Sequence, residues 1–174
     1  MSTPSHDPVA AAGDPLIEQR AARPLLAIAA EGDVAQFADA VDAAFPELFR
    51  RLAAHGVEPA GPPLIVYHRF EPGGRFAIDV AAPVAAGTAV ADDRLRADAL
   101  PAGRYVTHLH RGAYRATTPR WEGRDLAAAH ARVLAWAESA GLRLGRCAEQ
   151  YLAGPPTVAD PADWLTELVF LIEA

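Results

Sequence analysis

The residue of this chain best placed for chemistry is an acid set in the middle of an apolar strand. Residues 164–172 read Trp-Leu-Thr-Glu-Leu-Val-Phe-Leu-Ile. Because side chains alternate along a strand, Trp164, Thr166, Leu168, Phe170 and Ile172 share one face, and Leu165, Glu167, Val169 and Leu171 the other. Glu167 is the single acid among them. Apolar surroundings disfavour the charged form of a carboxylate unless a donor or cation stands near. Such a group suits recognition of a cation, or general acid–base work on a bound substrate. The plainer alternative is an ion pair with an arginine at the rim of a sheet.

Tyr67 and Tyr151 are the second pair of candidates. Each follows a glycine that closes a helical segment, Tyr67 eleven residues past Gly56 and Tyr151 ten past Gly141. A tyrosine offers a ring for stacking or cation–π contact and a hydroxyl for one specific hydrogen bond. Trp121 lies in a Pro/Gly loop, where it either caps a pocket or anchors the loop on the core. Other chemistries find less support. His68, His108 and His110 lack the spacing of a zinc site, so no metal is expected. The serines are Ser2, Ser5 and Ser139, none in a nucleophile elbow. Cys147 has only Arg146 as a basic neighbour and reads as an unreactive thiol. Gly73-Gly74 is a hairpin turn rather than a phosphate loop, and no cofactor is expected.

The elements that must position these groups come in a repeated order. Residues 24–31 form a short apolar run. Phe37, Val41, Phe45, Leu48 and Leu52 then mark one face of a helix that ends at His55-Gly56, and Pro46 inside it predicts a kink or a division. Leu64–Phe70 and the alternating Phe76, Ile78 and Val80 form a hairpin across Glu71-Pro-Gly-Gly74. Residues 83–101 read as an exposed connection. Then Arg104–His110 predicts a strand, a helix runs from about Arg124 to Gly141, and Glu149–Leu152 and Trp164–Ile172 predict two more strands. Strand–helix–strand–strand therefore occurs twice, over about 20–82 and 102–174, after a disordered tail at 1–19. The fold class expected is α+β: a duplicated βαββ unit, its antiparallel sheet carrying two helices on one face and a ligand groove on the other.

The chain of 174 residues, with 51% hydrophobic and 22% charged residues, suits one packed domain without disulfides. Its basic residues are all arginine, and a net charge of −6 gives no electrostatic footprint for nucleic acid. Arg111, Arg115, Arg120 and Arg124 are spread over a solvated loop. No apolar run is long enough to span a membrane and no signal peptide is evident, so a cytoplasmic location is expected.

Five segments in order resemble the GyrI-like small-molecule-binding domain, also the effector-binding module of some AraC- and MerR-type regulators. They are Pro62-Pro-Leu-Ile-Val-Tyr-His68, Leu100-Pro-Ala-Gly-Arg-Tyr105, His110-Arg-Gly-Ala-Tyr114, Leu134-Ala-Trp136 and Asp160-Pro-Ala-Asp-Trp-Leu-Thr-Glu167. The resemblance covers residues ~20–174 and implies a duplicated βαββ fold. It also implies a groove for organic molecules, often cationic or aromatic, with the carboxylate at Glu167 and lining at Tyr67 and Tyr151; the leading expectation is a small-molecule-binding protein in which Trp121 adds a further stacking group. Some stand-alone members open strained cyclopropanes with a glutamate and a tyrosine. In that alternative Glu167 is the general base and Tyr67 its partner. Others are named for gyrase inhibition, which makes a protein partner the third reading. Residues 1–20 leave no room for a helix-turn-helix, so direct DNA binding is not expected, and Arg115–Asp125 is a longer stretch than the regulators carry.

Overall fold

The computed structural model of the protein describes residues 13–155 and 157–173. Eight strands form one antiparallel sheet: β1 (Leu16–Arg20), β2 (Arg23–Asp33), β3 (Leu64–Phe70), β4 (Arg75–Pro83), β5 (Arg96–Leu100), β6 (Gly103–Arg111), β7 (Leu144–Ala153) and β8 (Leu165–Ile172). Their order across the sheet is β1-β6-β8-β7-β3-β4-β2-β5. Two helices, α1 (Phe37–Ala54) and α2 (Leu126–Ser139), lie on one face. The duplication is visible in the topology, since β2-α1-β3-β4 and β6-α2-β7-β8 each give strand, helix, strand, strand.

The two repeats meet where β3 pairs with β7, and Ile65 stands opposite Glu149. If Tyr67 matches Tyr151 in the repeat, Ile65 matches Glu149. The Ile65–Glu149 pair then lies on the pseudo-twofold axis, with one tyrosine two residues beyond each member. The sheet cannot be flat, because β5 at one edge is joined by Pro101 and Ala102 alone to β6, which lies beside the other edge. Three residue steps span about 10 Å at most, so the edges must curl toward each other. Side chains complete the closure: Arg146 on β7 donates to the Ala99 carbonyl of β5 at 2.8 Å, and Arg23 on β2 to Gln150 Oε1 of β7 at 2.9 Å.

Burial follows from the curl. On the helix-bearing face Leu48 and Leu52 of α1 pack on Leu26, Ile28, Ile65, Ile78 and Val80. Leu126, Ala129 and Val133 of α2 pack on Val106, Leu168 and Phe170. Each fully buried leucine of this kind contributes about 1.5–3 kcal/mol. The helix-free face, where the sequence reading set the groove, holds a core of its own from Leu25, Leu64, Val66, Tyr105, Ala148 and Val169.

Several local expectations change. α1 is continuous through Pro46, whose ring and whose unpaired partner carbonyl at Asp42 both lie on the exposed side, where water replaces the missing hydrogen bond. Leu16–Arg20 is a strand rather than the end of a tail, and residues 1–12 lie outside those described. Residues 96–100, read as part of a connection, form the edge strand β5. Among the described residues no helix is long and apolar enough to cross a membrane.

Candidate functional site

The two helices sit over opposite halves of the sheet, and the strands at its centre, β3, β7 and β8, form a floor between them. By strand parity this floor presents Tyr67 from β3, Cys147, Glu149 and Tyr151 from β7, and Thr166, Leu168 and Phe170 from β8. Glu149 is only 4% exposed. Its Oε1 lies 2.6 Å from His130 Nε2 on α2, and its Oε2 accepts from the Tyr151 hydroxyl at 2.6 Å. The Tyr67 hydroxyl faces the same carboxylate from β3.

Aromatic rings surround this acid. Tyr67 stacks on Phe37 of α1 at 6.2 Å between centroids and meets His130 edge-on at 6.2 Å. Tyr151 makes edge contacts with Phe45 of α1 at 5.8 Å and with Tyr114 at 5.4 Å. Tyr114 in turn lies 4.6 Å from Trp164. The tyrosines and His130 are half-buried and surround the carboxylate, which is the most buried group of the set.

The electrostatics are consistent with a site held in one protonation state. Burial, reinforced by the negative charge of Glu149, pushes the hydroxyls of Tyr67 and Tyr151 well above the usual phenol range. Burial first, then Glu149, takes Tyr114 up to about 12 and also raises the Cys147 thiol. These groups are donors, not bases, at neutral pH. The Cys147 thiol is accordingly unreactive, as its sequence context suggested.

Of the residues singled out from sequence, the structure brings Tyr67 and Tyr151 together at this cleft and places the other two elsewhere. Glu167 lies on the helix-free face, opposite Leu109 and Gln150. There Arg20 of β1 grips it at both oxygens, at 3.0 and 2.6 Å, while also holding Glu18. The carboxylates hold the Arg20 guanidinium charged, with the hydrogen bond to Glu167 the main cause. The rim ion pair set beside the functional reading of Glu167 is thus the arrangement present. Trp121 is 5% exposed and anchors its loop. Its ring lies against Gly112, at φ 142°, where an added Cβ would come within 2.6 Å. Arg120 covers the same indole at 5.1 Å.

Sequence reasoning missed Glu149, His130 and Tyr114. One signal was available: Glu149 is two residues before Tyr151 on one strand, so the two must share a face. His108 and His110 join no group of possible metal ligands among the described residues. His108 and His110 are buried on β6, and burial lowers both below the usual imidazole range. His68, Asp79 and Asp98 do gather within 4.8 Å. Arg96 pairs with Asp79 and Arg146 with Asp98, which ties this group into the ion pairs around β5. A shallow concavity at the end of α1, lined by Phe49, Leu52, Val57 and Pro59, contains none of the cleft residues.

The family model described as GyrI-like small molecule binding domain matches residues 14–173. Among solved structures, the chain is similar to the C-terminal domain of EcmrR, with a TM-score of 0.75, 18% identity, and coverage of 92% of this chain and 97% of that one. Against EcmrR in its DNA complex the TM-score is 0.74 at 17% identity, with 92% of this chain matched and 57% of that chain spanned. The structure of SAV2435 bound to tetraphenylphosphonium matches with a TM-score of 0.61, 13% identity and coverage of 93% and 95%. A hydrolase from Listeria innocua matches with a TM-score of 0.58, 15% identity and coverage of 92% of each chain. No curated protein matches by sequence. At these identities the structural neighbours establish the fold.

Proposed function

This chain belongs to the GyrI-like small-molecule-binding family, and from that premise we propose that it binds a hydrophobic organic cation in the cleft between α1 and α2. Glu149 supplies the charge, and Tyr67, Tyr151 and Tyr114 supply the faces. The observation that carries this reading is a carboxylate 4% exposed, bracketed by two tyrosines on a pseudo-twofold axis and walled by rings. A buried carboxylate partnered by an imidazole and phenol hydroxyls favours a weakly hydrated cation, because little solvation of the cation is lost when the two meet. Aromatic faces around it add about 0.5–2 kcal/mol for each cation–π contact. Tetraphenylphosphonium in complex with SAV2435, a protein of the same fold, supports this ligand class.

Titration calorimetry with tetraphenylphosphonium and with neutral triphenylphosphine oxide tests the reading. The cation is expected to bind at least tenfold more tightly, a difference of about 1.4 kcal/mol. Equal affinity for the two, or binding of neither, contradicts it.

A second reading is favoured by the His130–Glu149 contact of 2.6 Å beside two protonated tyrosines. This pair could activate water while a tyrosine protonates a leaving oxygen, making the cleft a hydrolase site for a strained electrophile. A hydrated product from an activated cyclopropane, detected by mass spectrometry and lost in Glu149→Gln, would establish it.

A further inference from the structure

The Glu149 carboxylate already has a partner. His130 reaches it from α2, and its ring packs edge-on against Phe170 at 5.5 Å and Tyr67 at 6.2 Å. Such packing keeps the imidazole beside the carboxylate and half-shielded from water. From this juxtaposition we propose that His130 is the resident counter-cation of Glu149, and that an organic cation binds by displacing the proton His130 carries. The inference rests on the cation-binding reading above and adds how that site is regulated and which ligands it selects.

The exchange balances in charge and atoms. Before binding, imidazolium and carboxylate form a neutral pair. The incoming cation brings a second positive charge to one carboxylate inside a low-dielectric cleft, where the two cations repel. His130 gives its extra proton to solvent, and the cleft ends as neutral imidazole, carboxylate and bound cation. Neutral ligands trigger no such release, so the cleft selects cations above the imidazole transition and loses that preference below it.

The other titratable groups facing this pair are three tyrosines, a thiol and two buried histidines. Tyr67 on β3 and Cys147 and Tyr151 on β7 are all raised by burial, and so is Tyr114 on the 112–125 loop. His110 on β6 feels the charge of Glu149, but burial lowers it, as it lowers His108. Phe37 and Phe45, the residues of α1 that reach the tyrosines, carry no charge.

The test uses tetraphenylphosphonium, whose charge does not change with pH. Its affinity is measured by calorimetry from pH 5 to pH 8.5, each point in two buffers of different ionisation enthalpy. Affinity is expected to rise by up to about tenfold per pH unit at the acid end and then level off, with about one proton released per cation on the rising limb. His130→Gln is expected to bind with an affinity that does not vary with pH and to release no proton. A flat profile without proton release in the wild type overturns the proposal while leaving cation binding intact. The same slope in His130→Gln overturns it by assigning the proton to another group. Absence of cation binding at every pH removes the cation-binding reading itself, and this inference with it. If His130→Gln does not fold, the proton count in the wild-type protein decides alone.

Discussion

Glu149→Gln is expected to weaken binding of tetraphenylphosphonium by roughly thirtyfold to a thousandfold, equivalent to about 2–4 kcal/mol. The substitution keeps the shape of the side chain, and an amide oxygen can still accept from Tyr151. What it removes is the negative charge at the buried end of the cleft. The loss should be large because water cannot substitute there, the carboxylate being 4% exposed. Glu167→Gln is the matching comparison. Its charge is consumed by Arg20 on the opposite face, so cation affinity should stay within about twofold, near the scatter expected for distant sites. Both variants need a calorimetric or spectroscopic check of folding, since Arg20 loses a partner in the second. Equal loss of affinity in the two variants would mean that the ligand does not distinguish the faces.

The second large effect concerns stability. Arg96→Ala should destabilise the protein by about 2–4 kcal/mol, because it leaves Asp79 as a buried charge with His68 alone beside it. Asp79 is fully buried, and its Oδ1 already lacks a hydrogen-bond partner. His68 Nε2 at 2.8 Å and the Arg96 guanidinium are what compensate it. For a chain of this length the loss corresponds to roughly 5–15 °C in Tm. The double variant Arg96→Ala with Asp79→Leu should recover much of the loss, as replacement of a whole buried pair by apolar groups generally costs less than breaking it. Thermal unfolding of wild type, single and double variants measures both. A single variant within 0.5 °C of wild type would show that the pair contributes nothing to stability.

Much of the fold could be read in the chain, and the reasons for the exceptions are specific. The helices announce themselves by apolar residues at helical spacing, and the glycines that end them have positive φ, as Gly56 and Gly141 do. The alternation of residues 164–172 gave the two faces of β8 correctly. Alternation does not say which face the helices cover, because a strand buried on both sides looks the same in either orientation. Glu167 was the conspicuous acid for that reason, although its face carries the closed interior of the curl. The curl itself depends on β1 and β5, five-residue edge strands reading Leu-Ile-Glu-Gln-Arg and Arg-Ala-Asp-Ala-Leu. Short, charged edge strands lack the apolar runs by which central strands are recognised. Helical spacing places His130 three residues before Val133 and four before Leu134, on the apolar side of α2. The structure sets His130 at the border of that side, beside Glu149 and Phe170, and leaves Leu134 51% exposed.

The position of a bound cation decides most directly between the two carboxylates. A crystal structure of the protein with tetraphenylphosphonium is expected to place the phosphorus between Tyr67 and Tyr151 on the helix-bearing face, with Glu149 the nearest carboxylate. Density for the cation against Glu167, with the Arg20 contact broken, would contradict the assignment and return the site to the other face of the sheet.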